Sequence, residues 1–536
     1  MSILIVLLSI VLSIFSTAVM SYISMATPIG PWIAPTLVLI AMLVVRLLYR
    51  GRDYGQEVVL ATFSGSIGGI LATSFGFSFP TLYFLDPTLF NSWMSSPLYF
   101  MSVMSAVALS AGGFGFWIAN ILQDRLITQE QLEFPVSQLV HKMVAAQKSM
   151  RKAVELMVGF IGTALFCMLQ DGLGIIRSVI PKTCTLLSPF SYTIGISHFK
   201  VPFTIPLICL DIWPMLWAIG FVTGHVIAIP LLVGACSRIL IIDTLRNGLY
   251  PDYGSVEFIL AFASGMIVAG TIFGFLKTPQ VLWHSMRQFM HERKGVSGIT
   301  QQAVMQLGVL LFFSALLFSY FQFSVLAQLY LVLFTFACTY EIANQTGKIG
   351  LARLGMFATF VMVPAMLLFN LNVVQITLIA TYVEVCGGVA ADVLFGRKMI
   401  PLMHISREKM QRYQLLGLIT SSLCVGGVFW LLINHFGLGT PELFAQKAKN
   451  RELLVAIKQF DWHILLMGFG YGYLLRRAHI NPSLVLGGIL MPINVSLGLI
   501  IGGLSTYFVH DKEEWYPFWS GVFASNSLWM LFRSMF

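Results

Sequence analysis

The chain has 536 residues, 57% of them hydrophobic and only 10% charged, far from the roughly 25% charged of a soluble globular domain. With 43 Phe and 26 Met spread along the whole length and a mean hydropathy of +0.82, a soluble enzyme, a disordered chain and a receptor with one anchor are all excluded. The net charge of +9 sits in clusters between apolar runs, where it marks topology rather than nucleic-acid binding. Those runs are unbroken, unlike the alternating strands of a membrane barrel, so lipid must be crossed by helices. The class is all-α, polytopic.

On a ruler of about 20 apolar residues per crossing, roughly 16 segments follow one another. The first eight have cores at Ile3 to Met25, Trp32 to Leu48, Val58 to Leu82, Leu98 to Leu122, Ala153 to Ile176, Leu207 to Val226, Ile227 to Ile242 and Val256 to Phe275. The second eight run Ala303 to Phe321, Val325 to Ile342, Leu351 to Phe369, Val373 to Leu394, Leu415 to Ile433, Trp462 to Leu475, Leu484 to Val509 and Phe518 to Phe532. Segment 1 lacks a basic leader region and is longer than a signal-peptide core, so it reads as a retained membrane helix. With both termini in the cytoplasm, about 22 of the 32 Lys and Arg fall inside, as the positive-inside rule requires. The exception is His435 to Lys458, placed outside although it carries Lys447, Lys449, Arg451 and Lys458. Seven cysteines, an odd number mostly within apolar runs and without C-x-x-C spacing, indicate neither a disulfide framework nor a metal site.

The two halves echo each other. Segments 6 and 7 read Asp211, Trp213, Gly220-Phe221-x-x-Gly224 and Pro230 to Gly234; segments 14 and 15 read Asp461-Trp462, Gly468-Phe469-x-x-Gly472 and Pro482 to Gly487. Phe262 to Gly265 is echoed by Phe523 to Asn526, and segments 3 and 11 each end with a proline, Pro80 and Pro364. Gly112-Gly113 with Leu122-x-x-Arg125 is echoed by Gly387-Gly388 with Leu394-x-x-Arg397. The organisation expected is two parallel eight-helix repeats, 1–278 and 302–536, joined by a basic cytoplasmic linker, 279–301. Repeated halves of this kind place a binding site at their interface near the midplane, a pattern of secondary transporters.

Segment 15, Asn481 to Gly503, holds two prolines, Pro482 and Pro492. A proline removes an amide donor and its ring clashes with a carbonyl one turn back, and freed backbone groups at membrane depth are tolerated where protein or a wet cavity covers them. Asn494 and Ser496 add polar side chains there, and Pro230 occupies the corresponding place in segment 7. Pro80, Pro230, Pro364, Pro482 and Pro492 are therefore the expected cavity-lining breaks. Ionisable residues inside a membrane are functional candidates by default. Segment 12 presents Asn372, Gln375, Tyr382, Glu384 and Asp392, with Glu384 nearest the midplane; a buried carboxyl there serves either as a proton carrier or as a hydrogen-bonded structural group. Asp392 reads as the ion-pair partner of Arg397 and Lys398, and Glu341, before Asn344-Gln345-Thr346, has the same two readings. Asp171 with Arg177 and Asp243 with Arg246 read as interfacial pairs. The Asn344 and Asn494 glycosylation patterns lie inside or within the membrane and are discounted. Phe469-Gly-Tyr-Gly472 reads as helix packing, and His284 with His291 is too few for a metal site. There is no P-loop and no H-E-x-x-H, no clustered catalytic set and no cofactor expected, so the chain does not read as an enzyme.

Several of these segments together resemble the oligopeptide transporter superfamily, which includes the yellow-stripe transporters of metal chelates. Gly65-Ser66-Ile67-Gly68-Gly69 through Phe79-Pro80 resembles the family's glycine-rich third helix. Arg125 followed by Leu132-Glu133-Phe134-Pro135 is similar to its arginine and Leu-x-[YF]-Pro loop. Thr346-Gly347-Lys348-Ile-Gly350 looks like its Thr-Gly turn, and Ala390-Ala391-Asp392 with Arg397-Lys398 like its Ala-Ala-Asp stretch. Asn481-Pro482 through Gly503 matches the late Pro-broken helix best. Val136-Ser137-Gln138 and Ser525-Asn526 depart from the family's Ser-Gly and Gly-Glu, which leaves peptide, metal chelate and other small solutes open. The resemblance, to a divergent bacterial branch, implies proton-coupled uptake of small peptides or chelates by alternating access, in the cell membrane (the inner membrane if bacterial). It implies Glu384 as proton or amine partner and Asn481, Asn494 and Gln375 as orienting groups, with Asn372, Asp392 and Glu341 on the pathway. The partners are substrate, protons and membrane lipid; a homo-oligomer is compatible with it. A channel and an enzyme acting on lipid-linked substrates are the rival readings.

Overall fold

The computed structural model describes residues 3–27, 30, 32–48, 54–145, 150–172, 178–188, 190–196, 199–205, 208–251, 253–269, 272, 301–350, 352–456, 460–509 and 511–533. The helices of the first part are α1 (Ile3–Ala26), α2 (Ala34–Leu48), α3 (Gly55–Ser78), α4 (Thr81–Leu85), α5 (Pro87–Met94), α6 (Pro97–Gln123), α7 (Pro135–Ala145) and α8 (Met150–Asp171). Then come α9 (Pro214–Thr223), α10 (His225–Ser237), α11 (Asp243–Leu249) and α12 (Ser255–Ala269). The later ones are α13 (Gln301–Tyr320), α14 (Val325–Ile349), α15 (Leu354–Leu368), α16 (Val373–Met403), α17 (Arg407–Phe436) and α18 (Gln446–Val455). The last are α19 (Trp462–Arg477), α20 (Pro482–Leu490), α21 (Ile493–Ser505) and α22 (Lys512–Arg533), and π-helical turns occupy Asp124–Gln129 and Arg238–Ile242.

Among the described residues, eight helical stretches are long and apolar enough to cross a membrane and five shorter ones are apolar. A described helix lies within each apolar segment read from the sequence, and the protein is an all-α polytopic membrane protein. The expected linker falls almost wholly outside the described residues, with His284, Arg287, His291, Arg293 and Lys294, as does Arg177. The start of segment 6 is corrected. Residues before α9 form strands β1 (Thr183–Leu187), β2 (Phe190–Ile196), β3 (Phe199–Ile205) and β4 (Ile208–Asp211), paired antiparallel as β1–β4 and β2–β3. β-branched and aromatic residues dominate this stretch, and hydropathy alone cannot tell a buried strand from the start of a helix.

The chain forms two compact units, 1–153 with 274–438 and 533–536, and 154–273 with 439–532. Each draws on both sequence halves.

In the first unit α3 and α16 are wholly buried. α3 has one charged residue, Glu57, and many small ones, which let neighbouring backbones approach closely where lipid provides no hydrophobic drive. A methyl group at Gly417 of α17 would overlap the Ser64 carbonyl, and one at Gly115 of α6 the Cys386 carbonyl of α16. α1 lies along α3 through hydroxyls: Ser13 donates to the Ser64 carbonyl at 3.3 Å, Ser16 to that of Gly65, and Ser24 to that of Ala72 at 3.4 Å. The numbers rise together, so the two helices run parallel.

The second unit repeats one packing device four times. Gly234 of α10 sits on the Val485 carbonyl of α20, and Gly488 on that of Leu231. Gly220 of α9 sits on Leu499 of α21, and Gly502 on Trp217; Gly265 of α12 on Leu465 of α19, and Gly468 on Phe262; Gly159 of α8 on Phe518 of α22, and Gly521 on Leu156. In every pair a glycine meets the carbonyl three residues before its partner glycine. Such contacts bring Cα–H groups against carbonyl oxygens, a weak attraction summed over reciprocal pairs. Each pair joins a helix of 1–278 to one of 302–536.

Candidate functional site

α16 begins with a reciprocal cap. Asn372 accepts from the Gln375 amide at 2.8 Å while Gln375 accepts from the Asn372 amide at 3.0 Å. The Gln375 amide nitrogen also donates to the carbonyls of Phe321 and Gln322, both at 3.0 Å. Of these two residues expected on a substrate-facing stripe, Gln375 has both side-chain polar atoms, and Asn372 its side-chain oxygen, committed to starting the helix and fixing the turn before α14.

Further along, the carboxyls are shut away from solvent, Glu384 0% and Asp392 1% exposed. Each is met by a serine of α3. Ser78 donates to Glu384 Oε2 at 2.5 Å, and Ser66 to Asp392 Oδ2 at 2.6 Å. Ser74 donates to the Glu384 backbone carbonyl at 3.1 Å. Ser66 answers Asp392 and Ser78 answers Glu384, so α3 and α16 run antiparallel, with the carboxyls about 12 Å apart along the helix. Gly388 lies between them, and a methyl group there would come 2.9 Å from Ile70 and from the Ser74 hydroxyl. A hydroxyl donates to a carboxylate and accepts from a carboxylic acid, so the same partner serves both protonation states.

The expected Asp392–Arg397 ion pair does not form. Arg397 is fully buried, and its guanidinium donates to Gln414 at 2.7 Å, Gln123 at 3.1 Å and Asn120 at 2.9 Å, against the Phe116 ring. Five residues along a helix is a rotation of about 140°, which turns the two side chains to opposite sides. Asp171 is paired with Lys182 at 2.6 Å, and Arg246 turns to the Asn247 side chain at 2.5 Å.

Four of the five motifs that carry the family resemblance meet in the first unit, and the fifth, Asn481 to Gly503, lies in the second. The Phe134 amide donates to the Gly347 carbonyl at 2.8 Å, and a methyl group at Gly347 would press on Leu132 and Phe134. Gly350, at φ +72° where a side chain would be strained, packs on Pro135 and accepts from the Trp32 indole at 2.8 Å. Ser137 donates to the Phe395 carbonyl at 2.8 Å. Arg125 pairs with Glu130 at 2.8 Å and lies over the Tyr340 ring. Glu341 is buried and accepts from Gln345 at 2.9 Å.

In the second unit, segment 15 is broken at Pro492, between α20 and α21. Arg238 covers the open end of α20, its guanidinium donating to the Ile489 carbonyl at 3.2 Å and to that of Met491 at 3.4 Å. At the start of α21, Asn494 donates to Asp211 Oδ2 at 2.5 Å. The other prolines behave differently from expectation. Pro482 opens α20 at its first residue, where a missing amide costs nothing. Exposed Asn481 precedes it, its carbonyl accepting from Leu484 and Val485. Pro230 and Pro364 lie inside α10 and α15 without ending them, and Pro80 forms the buried turn from α3 to α4. Near Pro364, Tyr330 donates to the Val361 carbonyl at 3.0 Å.

Sequence reasoning passed over four of these residues. Ser66 and Ser78 were hidden among the glycines of α3; Asp211 was visible only as an echo of Asp461; Arg238 gave no signal until the break had a position. No curated protein matches the chain. The model of the family described as OPT oligopeptide transporter protein matches residues 1–526. With that match over nearly the whole length, and with four of its motifs in contact within the first unit, the chain belongs to the OPT oligopeptide transporter family, as a multi-pass membrane transporter of oligopeptide-type substrates.

Proposed function

We propose that this transporter is a secondary carrier in the cell membrane that takes up small oligopeptides by alternating access, driven by protons. The observation that carries the reading is the pair of buried carboxyls on α16, each opposite a serine of α3. Glu384 is the proton site, Asp392 extends the path and Glu341 is a further polar group of the first unit, while Asn481 and Asn494 are the candidate polar groups of the second. The four glycine crossings, each joining a helix of 1–278 to one of 302–536, support two parallel repeats. A potential of 100 mV supplies about 2.3 kcal/mol per charge, and about 1.4 kcal/mol sustains a tenfold gradient, so one proton per peptide is sufficient drive.

The test is reconstitution in vesicles with an imposed pH gradient, assaying peptides beside metal chelates. Glu384→Gln is expected to abolish gradient-driven uptake while peptide exchange persists. Unchanged uptake with unchanged pH dependence removes Glu384 from the mechanism. Accumulation of chelates in place of peptides moves the protein to the yellow-stripe-like reading, and flux without counterflow to the channel reading.

A further inference from the structure

Polar groups around the break in the second unit do not balance. Asp211 is 7% exposed; one carboxylate oxygen takes the Asn494 amide, and the other, Oδ1, is buried with no hydrogen-bond partner. Its charged neighbour is Glu442, of the same sign, and no described lysine, arginine or histidine forms an ion pair with it. Two other groups that pack on the broken helix are in the same condition. Gln446 is 2% exposed with neither its amide nitrogen nor its oxygen bonded, and both lie about 3 Å from where a Cβ on Gly487 of α20 would stand. Trp217 packs on Gly498 of α21 with its indole N–H buried and unpartnered. Along the broken helix the unbonded amide thus packs at Gly487 of α20, the acceptor at Asn494 and the donor at Gly498 of α21, the last two about 6 Å apart along the axis.

The sequence echo sharpens the point. Asp461, the counterpart in the second half, is a helix cap whose carboxylate accepts from the His463 amide at 2.8 Å. Asp211 caps nothing, since α9 starts from Trp213 without a side-chain cap. A buried carboxylate with one neutral partner is costly unless a cation joins it, and an ammonium brings a charge and three donors.

We propose that Asp211 is the subsite for the protonated amino terminus of a peptide, with the Gln446 carboxamide pairing a later peptide group. This assignment rests on the oligopeptide reading above. Trialanine and N-acetyl-trialanine are to be compared as substrates of the full-length protein in vesicles. The expected result is a KM at least tenfold lower for the free peptide. Asp211→Asn should bring that ratio close to one by raising the KM of the free peptide, with the pH dependence of uptake kept. Gln446→Leu should raise both KM values several-fold and leave the ratio unchanged. Equal handling of the two peptides by the wild-type protein overturns the assignment, and needs no variant to fold. So does an Asp211→Asn protein that keeps the ratio, or one that loses pH dependence instead. Failure of the wild-type protein to take up either peptide overturns the oligopeptide reading and this assignment together; uptake without discrimination overturns the assignment alone.

Discussion

Arg397 is a cation sealed inside a membrane bundle with three neutral oxygens for company. Hydrogen bonds to a charged group are worth about 1.5–3 kcal/mol each, and losing the donor strands the acceptors. Arg397→Met is therefore expected to destabilise the protein by roughly 3 kcal/mol or more. Arg397→Lys should recover only part of that, because one ammonium cannot reproduce a planar fork. Thermal unfolding in detergent measures both, and full rescue by lysine would show that charge alone suffices. At this scale the sequence was only partly readable. It placed Glu384 and Asp392 on one apolar helix, but adjacency in the chain suggested a partner for Asp392 that helical rotation forbids. Asn372 and Gln375, three apart before an apolar run, spell a capping box, a meaning available from spacing and outweighed by the search for polar stripes. The serine partners on α3 belong to a segment some 300 residues away, and only tertiary structure supplies them.

For the elements, the decisive feature is reciprocal glycine contact. A methyl group at Gly234 would run into a backbone carbonyl, which cannot step aside as a side chain does. Gly234→Ala is expected to cost about 1–3 kcal/mol through overpacking by forcing α10 and α20 apart. Gly470→Ala, on α19 with nothing within 4 Å, should be neutral or stabilising by roughly 0.5–1 kcal/mol. Equal melting temperatures for the two variants would remove the crossings from the account of stability. The repeated Gly-Phe-x-x-Gly pattern marked two of these glycines, Gly220 and Gly468, as an echo between the halves, but neither as packing residues nor by the helices they join. β4 was read into segment 6 because an apolar strand before a membrane helix satisfies the same hydropathy window as the helix, and β1 to β3 fell between segments 5 and 6, a stretch the crossing ruler leaves unassigned.

Taken whole, the molecule follows its apolar segments closely, since burial of backbone polar groups in lipid leaves helices as the means of crossing. The local excess of positive charge after α17, which ran against the inside rule, has a structural explanation. Arg451 is buried at 4% exposure and Lys449 pairs with Glu452 at 3.0 Å, so neither stands as a free topology signal. The expected order of sixteen crossings, with both termini inside, puts Glu133 inside and Pro441 outside. Single cysteines introduced at each place in a cysteine-free protein should react with a membrane-impermeant maleimide from opposite faces, and labelling from one shared face would refute that order.

Such an arrangement also limits how the molecule can move. Arg238 holds the C-terminal end of α20 through the Ile489 and Met491 carbonyls, and healing the gap at Pro492 into one continuous rod would draw those acceptors back into helical bonds. The discontinuity is thus held by side-chain contacts as well as by the missing amide of Pro492. Any motion there takes the form of two stiff pieces tilting about a permanent joint, not of a rod that bends and straightens.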